Sequence, residues 1–284
     1  MRYLLLITLL WAFSFSLIGV YLRNVDPWFS VLVRTFLAMV VFLPFLKPMP
    51  SVKFKLMAIG SVQLGLMYGF YYHSFLYLSV PEVLLFTVLT PLYVTLLNDL
   101  LDKRFNKPFF IAALVAVIGA LTIRLDNVTS GFLFGLLLVQ CANICFAFGQ
   151  VSYKRLMSSE SNLAISENPK ALFGYFYIGA FILASACYAL FGNVERLPTT
   201  TTEWGILVYL GVVASGLGYL GWNHGATKVN VGTLAAMNNL LIPAGIIVNL
   251  IIWNREADLS RLSIGGGIIL LSLWLSIKIR KAHK

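Results

Sequence analysis

Long apolar runs separated by short polar segments make up almost the whole chain. Each run holds about 20 residues, the length at which an α-helix crosses the hydrocarbon core of a bilayer. The pattern predicts an all-α integral membrane protein with ten transmembrane helices and no sizeable soluble domain. We number these runs as spans 1 to 10, at about 3–22, 28–46, 56–77, 82–101, 108–124, 131–153, 171–192, 204–226, 231–253 and 262–279.

The composition agrees with this pattern. Of the 284 residues, 59% are hydrophobic and only 11% are charged, whereas soluble domains carry roughly 25% charged residues. The first run does not look like a secretory signal peptide, because only Arg2 precedes it, it is too long, and no small-x-small cleavage site follows it. We therefore expect it to remain in the mature protein as span 1.

The basic residues are distributed unevenly between the two sides of the predicted membrane. When the loops are assigned alternately to the two sides, fifteen Lys and Arg residues fall on one side and five on the other. Basic loops tend to stay in the cytoplasm, so both termini are expected there. The net charge of +10 thus reports topology and some attraction to the lipid bilayer, and we expect no nucleic-acid partner.

The spans fall into two similar halves. The polar segment RLDNVTSG divides the chain into residues 1–127 and 128–284, each with five spans. FSFS in span 1 matches FAFG in span 6, and Pro91 in span 4 matches Pro243 in span 9. Because five is odd, the second half enters the membrane in the opposite direction. Inverted repeats of this kind are typical of secondary transporters with a site near the midplane, and we expect both prolines to kink their helices there.

Motifs for catalysis or for cofactor binding are missing from the sequence. The chain contains no GxxxxGK[ST], no HExxH, no GxSxG and no CxxC. Its three cysteines lie inside spans, where cysteine usually serves as a small packing residue. We therefore expect no metal site, no cofactor and no enzymatic activity.

Polar side chains inside the spans are the strongest indication of a site, because they are costly in lipid and usually face the protein interior or a water-filled path. The ordinary alternative is a hydrogen bond between two helices. The adjacent amides Asn238 and Asn239 lie close to Pro243, which favours contact with a ligand. The candidate binding residues, besides one arginine, are Trp11, Gln63, Tyr68, Phe86, Tyr93, Asn143, Trp222, Asn238 and Asn239.

Arg34 is the sharpest single candidate, since it lies about 9 Å inside the outer end of span 2 by helical rise. A buried guanidinium is costly unless it is paired. Arg34 either captures a substrate carboxylate or pairs with Glu82 at the outer end of span 4, where Glu82 is a candidate for gating. His73, near the outer end of span 3, is a candidate for proton coupling, with a place in the aromatic belt as its alternative.

Several stretches resemble a known family of carriers. WAFSFSLIG, LLFTVLTPLYVTLL, LLLVQCANICFAFGQVSYKRLM and LGVVASGLGYLGWNHGATKVNVGTLAAMNNLLIPAGIIVNLIIW are the most similar. They resemble the EamA-domain transporters of the drug/metabolite transporter superfamily, in the branch that carries carboxylates, amino acids and amines. That family is built from two inverted five-helix repeats. Within it, the similarity is greatest to the bacterial inner-membrane carriers that import biotin.

The resemblance implies a multi-pass carrier of the bacterial inner membrane that takes up biotin, a small carboxylate, by alternating access. For such a substrate, the amides of spans 6 and 9 would serve the ureido group, Trp11, Phe86 and Trp222 the ring wall, and Arg34 the carboxylate. Two other functions stay open. One is a proton-coupled exporter of amino acids, amines or drugs, and the other is an intramembrane enzyme or a lipid-handling protein. The oligomeric state stays open as well.

Overall fold

Helices form all the regular structure of the described part of the chain. The computed structural model describes residues 2–48, 52–101, 103, 115, 118, 122, 129–158, 169–226, 231–253, 260, 263–268, 271 and 274. Spans 5 and 10 lie almost wholly outside these residues. Six helices within them are long and apolar enough to cross a membrane, namely Tyr3–Tyr21, Pro27–Phe45, Val80–Leu101, Ser130–Leu156, Lys170–Phe191 and Thr201–Trp222. The protein is therefore a helical membrane protein.

Some spans are single helices and others change their helical pitch. The uninterrupted helices are span 1 at Arg2–Tyr21, span 6 at Ser130–Ser158, span 7 at Pro169–Phe191 and span 9 at Val231–Trp253. Span 2 is the helix Pro27–Phe42 followed by a 3-10 turn at Leu43–Phe45, and a second short 3-10 turn, Val194–Arg196, follows span 7. The interrupted spans are span 3 at Lys53–Gly60, Ser61–Leu66 and Met67–Ser74, span 4 at Val80–Phe86, Thr87–Leu89 and Thr90–Leu101, and span 8 at Thr201–Val208, Tyr209–Leu217 and Gly218–Ala226.

Local sequence fixes where several helices begin. Span 2 starts after Asp26, whose carboxylate accepts a hydrogen bond of 2.8 Å from the backbone N–H of Phe29. Span 8 starts with a capping box, in which Thr200 and Glu203 satisfy each other's backbone N–H groups. Such caps occupy the N–H groups that have no acceptor in the first turn, so these helices begin at defined residues.

Span 4 is interrupted directly before Pro91. A proline lacks the N–H that would bond the carbonyl four residues earlier, which here is the carbonyl of Thr87. That carbonyl instead receives the backbone N–H of Thr90 and, at 2.7 Å, the hydroxyl of the same residue. The 3-10 turn Thr87–Leu89 is the result. Span 9 is one helix through position 243, and the predicted kink at Pro243 stays a prediction.

The two halves of the chain are interleaved in the packing. Span 7 packs against spans 2 and 3, and span 8 packs against spans 1 and 2. Span 1 also contacts span 9, and span 6 contacts spans 3 and 4. Spans 3 and 7 approach with glycine on both sides, since a Cβ on Gly60 would meet the backbone of Phe176 and one on Gly179 that of Met57. Small residues allow this close approach in membrane helices.

Loops that follow the odd-numbered spans 1, 3 and 7 meet at one end of the molecule. The guanidinium of Arg196 donates to the carbonyls of Asn24, at 3.0 Å, and Arg23, at 2.9 Å, and Arg23 donates to the carbonyl of Leu76 at 3.2 Å. At the other end, the hydroxyl of Tyr175 donates to the carbonyl of Lys47 at 3.0 Å. Spans 1, 3 and 7 therefore end on the same side of the molecule, and span 2 ends on the other.

Candidate functional site

One cavity lies between the two halves. Its lining residues come from spans 1 to 4 of the first half and from spans 6, 8 and 9 of the second. The empty space is about 740 Å³, counted to include the part open to solvent. Most of the lining is aromatic, with Trp11, Phe15, Phe75, Phe146, Tyr219 and three further tyrosines. Among the described lining residues, Arg34 carries the one formal charge.

Arg34 is held at the cavity by residues of spans 3 and 8. Its side chain is only 4% exposed, and its Nε donates a hydrogen bond to Oγ of Ser215. The guanidinium carbon lies 3.8 Å from the ring centroid of Tyr68, a cation–π contact. The hydroxyls of Tyr68 and Ser215 are 2.9 Å apart. Ser215 belongs to the π-helical turn Tyr209–Leu217, and such turns are frequent at functional sites.

Tyr72 adds an unused polar group beside the cation. Its side chain lines the cavity and is 3% exposed. The hydroxyl lies next to the guanidinium of Arg34, yet it has no hydrogen-bond partner of good geometry in the described part of the chain. Because Arg34 donates to Ser215 through Nε, its two terminal guanidinium nitrogens take no part in that hydrogen bond. Arg34 and Tyr72 together present hydrogen-bond donors to an anion, and we call this pair the donor pole.

Asn143 of span 6 organises the part of the cavity next to the break in span 4. It is fully buried, and its Nδ2 donates to the carbonyl of Phe86 at 3.0 Å and to Oε1 of Gln140 at 3.2 Å. Its Oδ1 accepts the hydroxyl of Tyr71 at 2.9 Å and that of Thr90 at 3.2 Å. The carbonyl of Phe86 is one that the 3-10 turn leaves without its usual helical partner. Asn143 therefore stabilises the interruption from outside span 4.

Trp11 forms an aromatic wall with two residues of span 8. Its Nε1 donates to the carbonyl of Ala214 at 2.9 Å. Its ring lies 4.9 Å from that of Tyr219 and 5.0 Å from that of Trp222, measured between centroids. Trp11 and Tyr219 line the cavity, whereas Trp222 packs behind Trp11. A rigid wall of this kind offers a flat apolar surface to a ligand ring.

The structure places three predicted binding residues, Trp11, Arg34 and Tyr68, on the cavity. Phe86, Asn143 and Trp222 are buried beside it without lining it. Gln63 is buried against Gly149 of span 6, and the hydroxyl of Tyr93 donates to Oε1 of Gln140 at 3.2 Å. The side chains of Asn238, Asn239 and Pro243 lie outside the described residues, so their contact with a ligand stays a prediction.

Glu82 and His73, the candidates for gating and proton coupling, have local partners. Oε2 of Glu82 accepts from the backbone N–H of Ser79 at 2.8 Å and from its hydroxyl at 2.7 Å. Nδ1 of His73 lies 2.7 Å from the carbonyl of Gly69, and its ring is 5.4 Å from that of Trp28. The partners that the structure gives Arg34 are Ser215 and Tyr68, while Glu82 takes part in the capping box of the helix Val80–Phe86. Gating by Glu82 and proton coupling by His73 stay predictions.

Several lining residues were missed by the sequence analysis. They include hydroxyl groups of spans 3 and 4, namely Tyr71, Tyr72, Thr87 and Thr90. Thr87 and Thr90 stand four residues and one residue before Pro91, which is the available signal, since hydroxyls often satisfy the carbonyls that a proline frees. The tyrosines carry no comparable signal, because aromatic residues are common throughout these spans.

The sequence of this chain is similar to those of known transporters. The model of the EamA-like transporter family matches residues 1–125 and 133–278. A Pseudomonas aeruginosa protein named as a probable biotin transporter is 51% identical over 97% of this chain and 97% of its own length. A biotin transporter of Salmonella typhimurium is 50% identical over 98% of this chain and 93% of its own length.

A solved crystal structure shares the fold, with a TM-score of 0.64 and 17% identity over 98% of this chain and 97% of that one. At that identity the likeness concerns the fold alone. The family model, in contrast, covers nearly every residue, including both halves that enclose the cavity. The chain belongs to the EamA-like transporter family.

Proposed function

We propose that this chain is a secondary carrier that imports biotin across the bacterial inner membrane by alternating access. The observation that carries the proposal is Arg34, a buried cation in an aromatic cavity between the two halves. The two relatives described above share 51% and 50% of their residues with this chain over nearly their full length. Both are named for biotin transport, which supports biotin as the substrate of this chain. The function is transport and not catalysis, since the family and these relatives are transporters.

The environment of Arg34 favours an anionic substrate. A guanidinium inside a membrane protein is costly unless a counter-charge or several polar partners satisfy it. No carboxylate is among the groups that surround Arg34 in the described part of the chain, where its neighbours are the hydroxyl of Ser215 and tyrosine rings. A substrate carboxylate supplies the missing charge, and its two oxygens accept hydrogen bonds from the terminal N–H groups of Arg34 in a bidentate geometry. Binding of the substrate therefore offsets the free-energy cost of the buried guanidinium, and this contributes to the affinity.

The rest of the cavity suits the body of biotin. This molecule combines a carboxylate on a short alkyl chain with a thioether ring and a polar ureido ring. The wall of Trp11 and Tyr219 offers apolar surface for the rings and the chain. A mostly apolar lining with a few placed polar groups is typical of such sites.

We further propose that the spans form two inverted repeats of five in a ten-span fold, residues 1–127 and 128–284. The two segments of the family match, 1–125 and 133–278, support this division. The packing supports it as well. Under this division, spans 1, 2, 3 and 4 correspond to spans 6, 7, 8 and 9. The contacts of span 1 with spans 8 and 9 then correspond to the contacts of span 6 with spans 3 and 4. The contact of spans 2 and 8 corresponds to the contact of spans 7 and 3. Both members of each pair are in contact, and spans 3 and 8, equivalent under this rule, both contain a π-helical turn.

The proposed orientation places both termini in the cytoplasm of a bacterial cell. Its support is the excess of fifteen basic residues over five in the loops. Arg23 and Arg196, two of the five, meet at one end of the molecule through their loops, as this orientation requires of the outer side. The gathering of loops after odd-numbered spans at that end is consistent with it.

Export of amino acids is disfavoured by the same cavity. An amino acid presents an ammonium group beside its carboxylate, and a buried ammonium needs an acidic partner. Among the described lining residues, none is an aspartate or a glutamate. The cavity therefore matches a simple anion better than a zwitterion.

Uptake of radiolabelled biotin into proteoliposomes that hold the purified protein tests the proposal. Unlabelled biotin and a mixture of amino acids serve as separate competitors, and protein-free vesicles are the control. We expect saturable uptake that excess biotin abolishes and that the amino acids leave unchanged. Uptake that amino acids block would contradict the substrate, and uptake no greater than in protein-free vesicles, with and without a proton gradient, would contradict the function.

A further inference from the structure

We propose that the hydroxyl oxygens of Tyr71, Thr87 and Thr90 form an acceptor pole that binds the N–H groups of the substrate's cyclic urea. All three residues line the cavity, at the break in span 4 and on the adjoining span 3. The inference rests on the proposed function and deepens it, because it fixes how biotin lies between this acceptor pole and the donor pole at Arg34 and Tyr72.

The orientation of one buried amide decides which way the hydroxyl protons point. The carbonyl of Phe86 can only accept a hydrogen bond, so the group of Asn143 that faces it at 3.0 Å is Nδ2. The oxygen of the same amide then faces the hydroxyls of Tyr71 and Thr90. Since Oδ1 carries no proton, both hydroxyls must donate to it or to another acceptor.

The protons of these two hydroxyls are thereby committed to the protein. Tyr71 donates to Oδ1 of Asn143 at 2.9 Å. The hydroxyl of Thr90 lies 2.7 Å from the carbonyl of Thr87 and 3.2 Å from Oδ1 of Asn143. Both neighbours of Thr90 accept only, so its single proton is used whichever bond is the stronger.

Thr87 follows the same rule. Its hydroxyl donates to the carbonyl of Leu84 at 2.6 Å. A hydroxyl that has given its proton to the protein keeps lone pairs that accept a further hydrogen bond. Tyr71, Thr87 and Thr90 all line the cavity and carry oxygens in this state, which favours a ligand that brings its own N–H or O–H groups.

The two poles differ in sign, and this orients the ligand. At the donor pole, the guanidinium of Arg34 and the neighbouring hydroxyl of Tyr72 offer hydrogen-bond donors to an anion. At the acceptor pole, the hydroxyl oxygens accept hydrogen bonds from N–H groups of the ligand. A cyclic urea has two N–H groups, so biotin satisfies both poles only with its carboxylate at Arg34 and its ureido ring at the break in span 4. Asn143 acts as a positioning residue, because it fixes the hydroxyl protons without lining the cavity.

Competition with two biotin analogues tests the inference in proteoliposomes that take up labelled biotin. Desthiobiotin keeps both ureido N–H groups and lacks the thioether, whereas biotin methylated on both ureido nitrogens lacks both donors. We expect the wild-type protein to bind desthiobiotin at least about tenfold more tightly than the methylated analogue, since a buried acceptor that loses its donor costs about that factor. Equal inhibition by the two analogues would overturn the inference.

Variants separate recognition from general damage to the fold. Thr90→Val and Tyr71→Phe should each weaken the binding of biotin severalfold while leaving the binding of the methylated analogue unchanged, so the ratio of the two affinities falls. Thr8→Val is the matched control, because the buried hydroxyl of Thr8 donates to the carbonyl of Leu4 at 2.8 Å away from the cavity lining. An equal loss for both ligands in the Thr90 and Tyr71 variants would overturn the acceptor pole.

The failure of this inference is distinct from that of the proposed function. A wild-type protein that takes up no biotin would overturn the function and with it the acceptor pole. A wild-type protein that takes up biotin yet does not discriminate between the analogues would overturn the acceptor pole alone.

Discussion

Arg34 of span 2 and Ser215 of span 8 are joined by a hydrogen bond from Nε to Oγ, which ties the first half of the chain to the second at the cavity. Ser215 also lies 2.9 Å from the hydroxyl of Tyr68, whose ring lies under the guanidinium. Three spans thus converge on one cation. Its position depends on the π-helical turn Tyr209–Leu217, which carries Ser215.

Ser215→Ala should destabilise the protein by about 1–3 kcal/mol, because it leaves the buried Nε of Arg34 without its acceptor. The expected readout is a lower midpoint of thermal unfolding in detergent, together with weaker biotin binding. Ser185→Ala is the control, since the hydroxyl of Ser185 donates only to the carbonyl of Phe181 in its own helix, at 2.8 Å. A Ser215 variant as stable and as tight-binding as the Ser185 variant would argue against the role of this bond.

Pro91→Ala should make span 4 more regular and slow transport. An alanine restores the N–H that can bond the carbonyl of Thr87, and this bond competes with the 3-10 turn Thr87–Leu89. We expect a higher unfolding midpoint and a lower rate of biotin uptake.

The control for this change is Pro81→Ala. Pro81 lies in the first turn of the helix Val80–Phe86, where an N–H has no helical acceptor in any case. Uptake at the wild-type rate in the Pro91 variant, with unchanged stability, would show that the break does not depend on the proline.

Gly179→Ala should prevent the native packing of spans 3 and 7. A Cβ at this position would overlap the backbone oxygen of Met57, which no side-chain rotation relieves. We expect a large loss of folded protein on size-exclusion chromatography. Gly205→Ala is the control, because nothing lies within 4 Å of its Cβ position, and alanine there favours the helix. Similar yields from both variants would contradict the packing of these spans.

The orientation predicts the behaviour of a reporter enzyme that is active only outside the cytoplasm. Fused to the C terminus, it should remain inactive because the positive-inside bias holds that end in the cytoplasm. The same reporter inserted in the loop between spans 7 and 8, after Thr199, should be active. Activity at the C terminus would overturn the orientation.

Hydropathy was sufficient to predict the described spans, because the cost of burying polar backbone in lipid leaves few alternatives to a helix. It also pointed to Arg34, since a charge inside such a span is rare and usually functional. Trp11 and Tyr68 were found with it, and the structure places all three on the cavity. For these residues, residue type and depth in the membrane carried enough information.

The partners of the predicted residues did not follow from the sequence. The π-helical turns in spans 3 and 8 shift the faces of those helices away from the regular spacing of 3.6 residues, so Ser215 meets Arg34 in a way that no periodic pattern indicates. Asn143 was predicted as a ligand contact because it is polar and buried. Its four hydrogen bonds to the protein depend on the carbonyl of Phe86 being freed at the break, which only the fold reveals.

The most direct test of the central claim compares biotin with its neutral carboxamide in the wild-type protein and in Arg34→Gln. Binding to each purified protein is measured by displacement of labelled biotin or by calorimetry. The wild type should prefer the acid by roughly tenfold or more, the worth of one charge-assisted hydrogen bond, and Arg34→Gln should lose this preference while it still binds the carboxamide. An equal loss of both ligands, or an undiminished preference for the acid, would contradict the role of Arg34 as the carboxylate site.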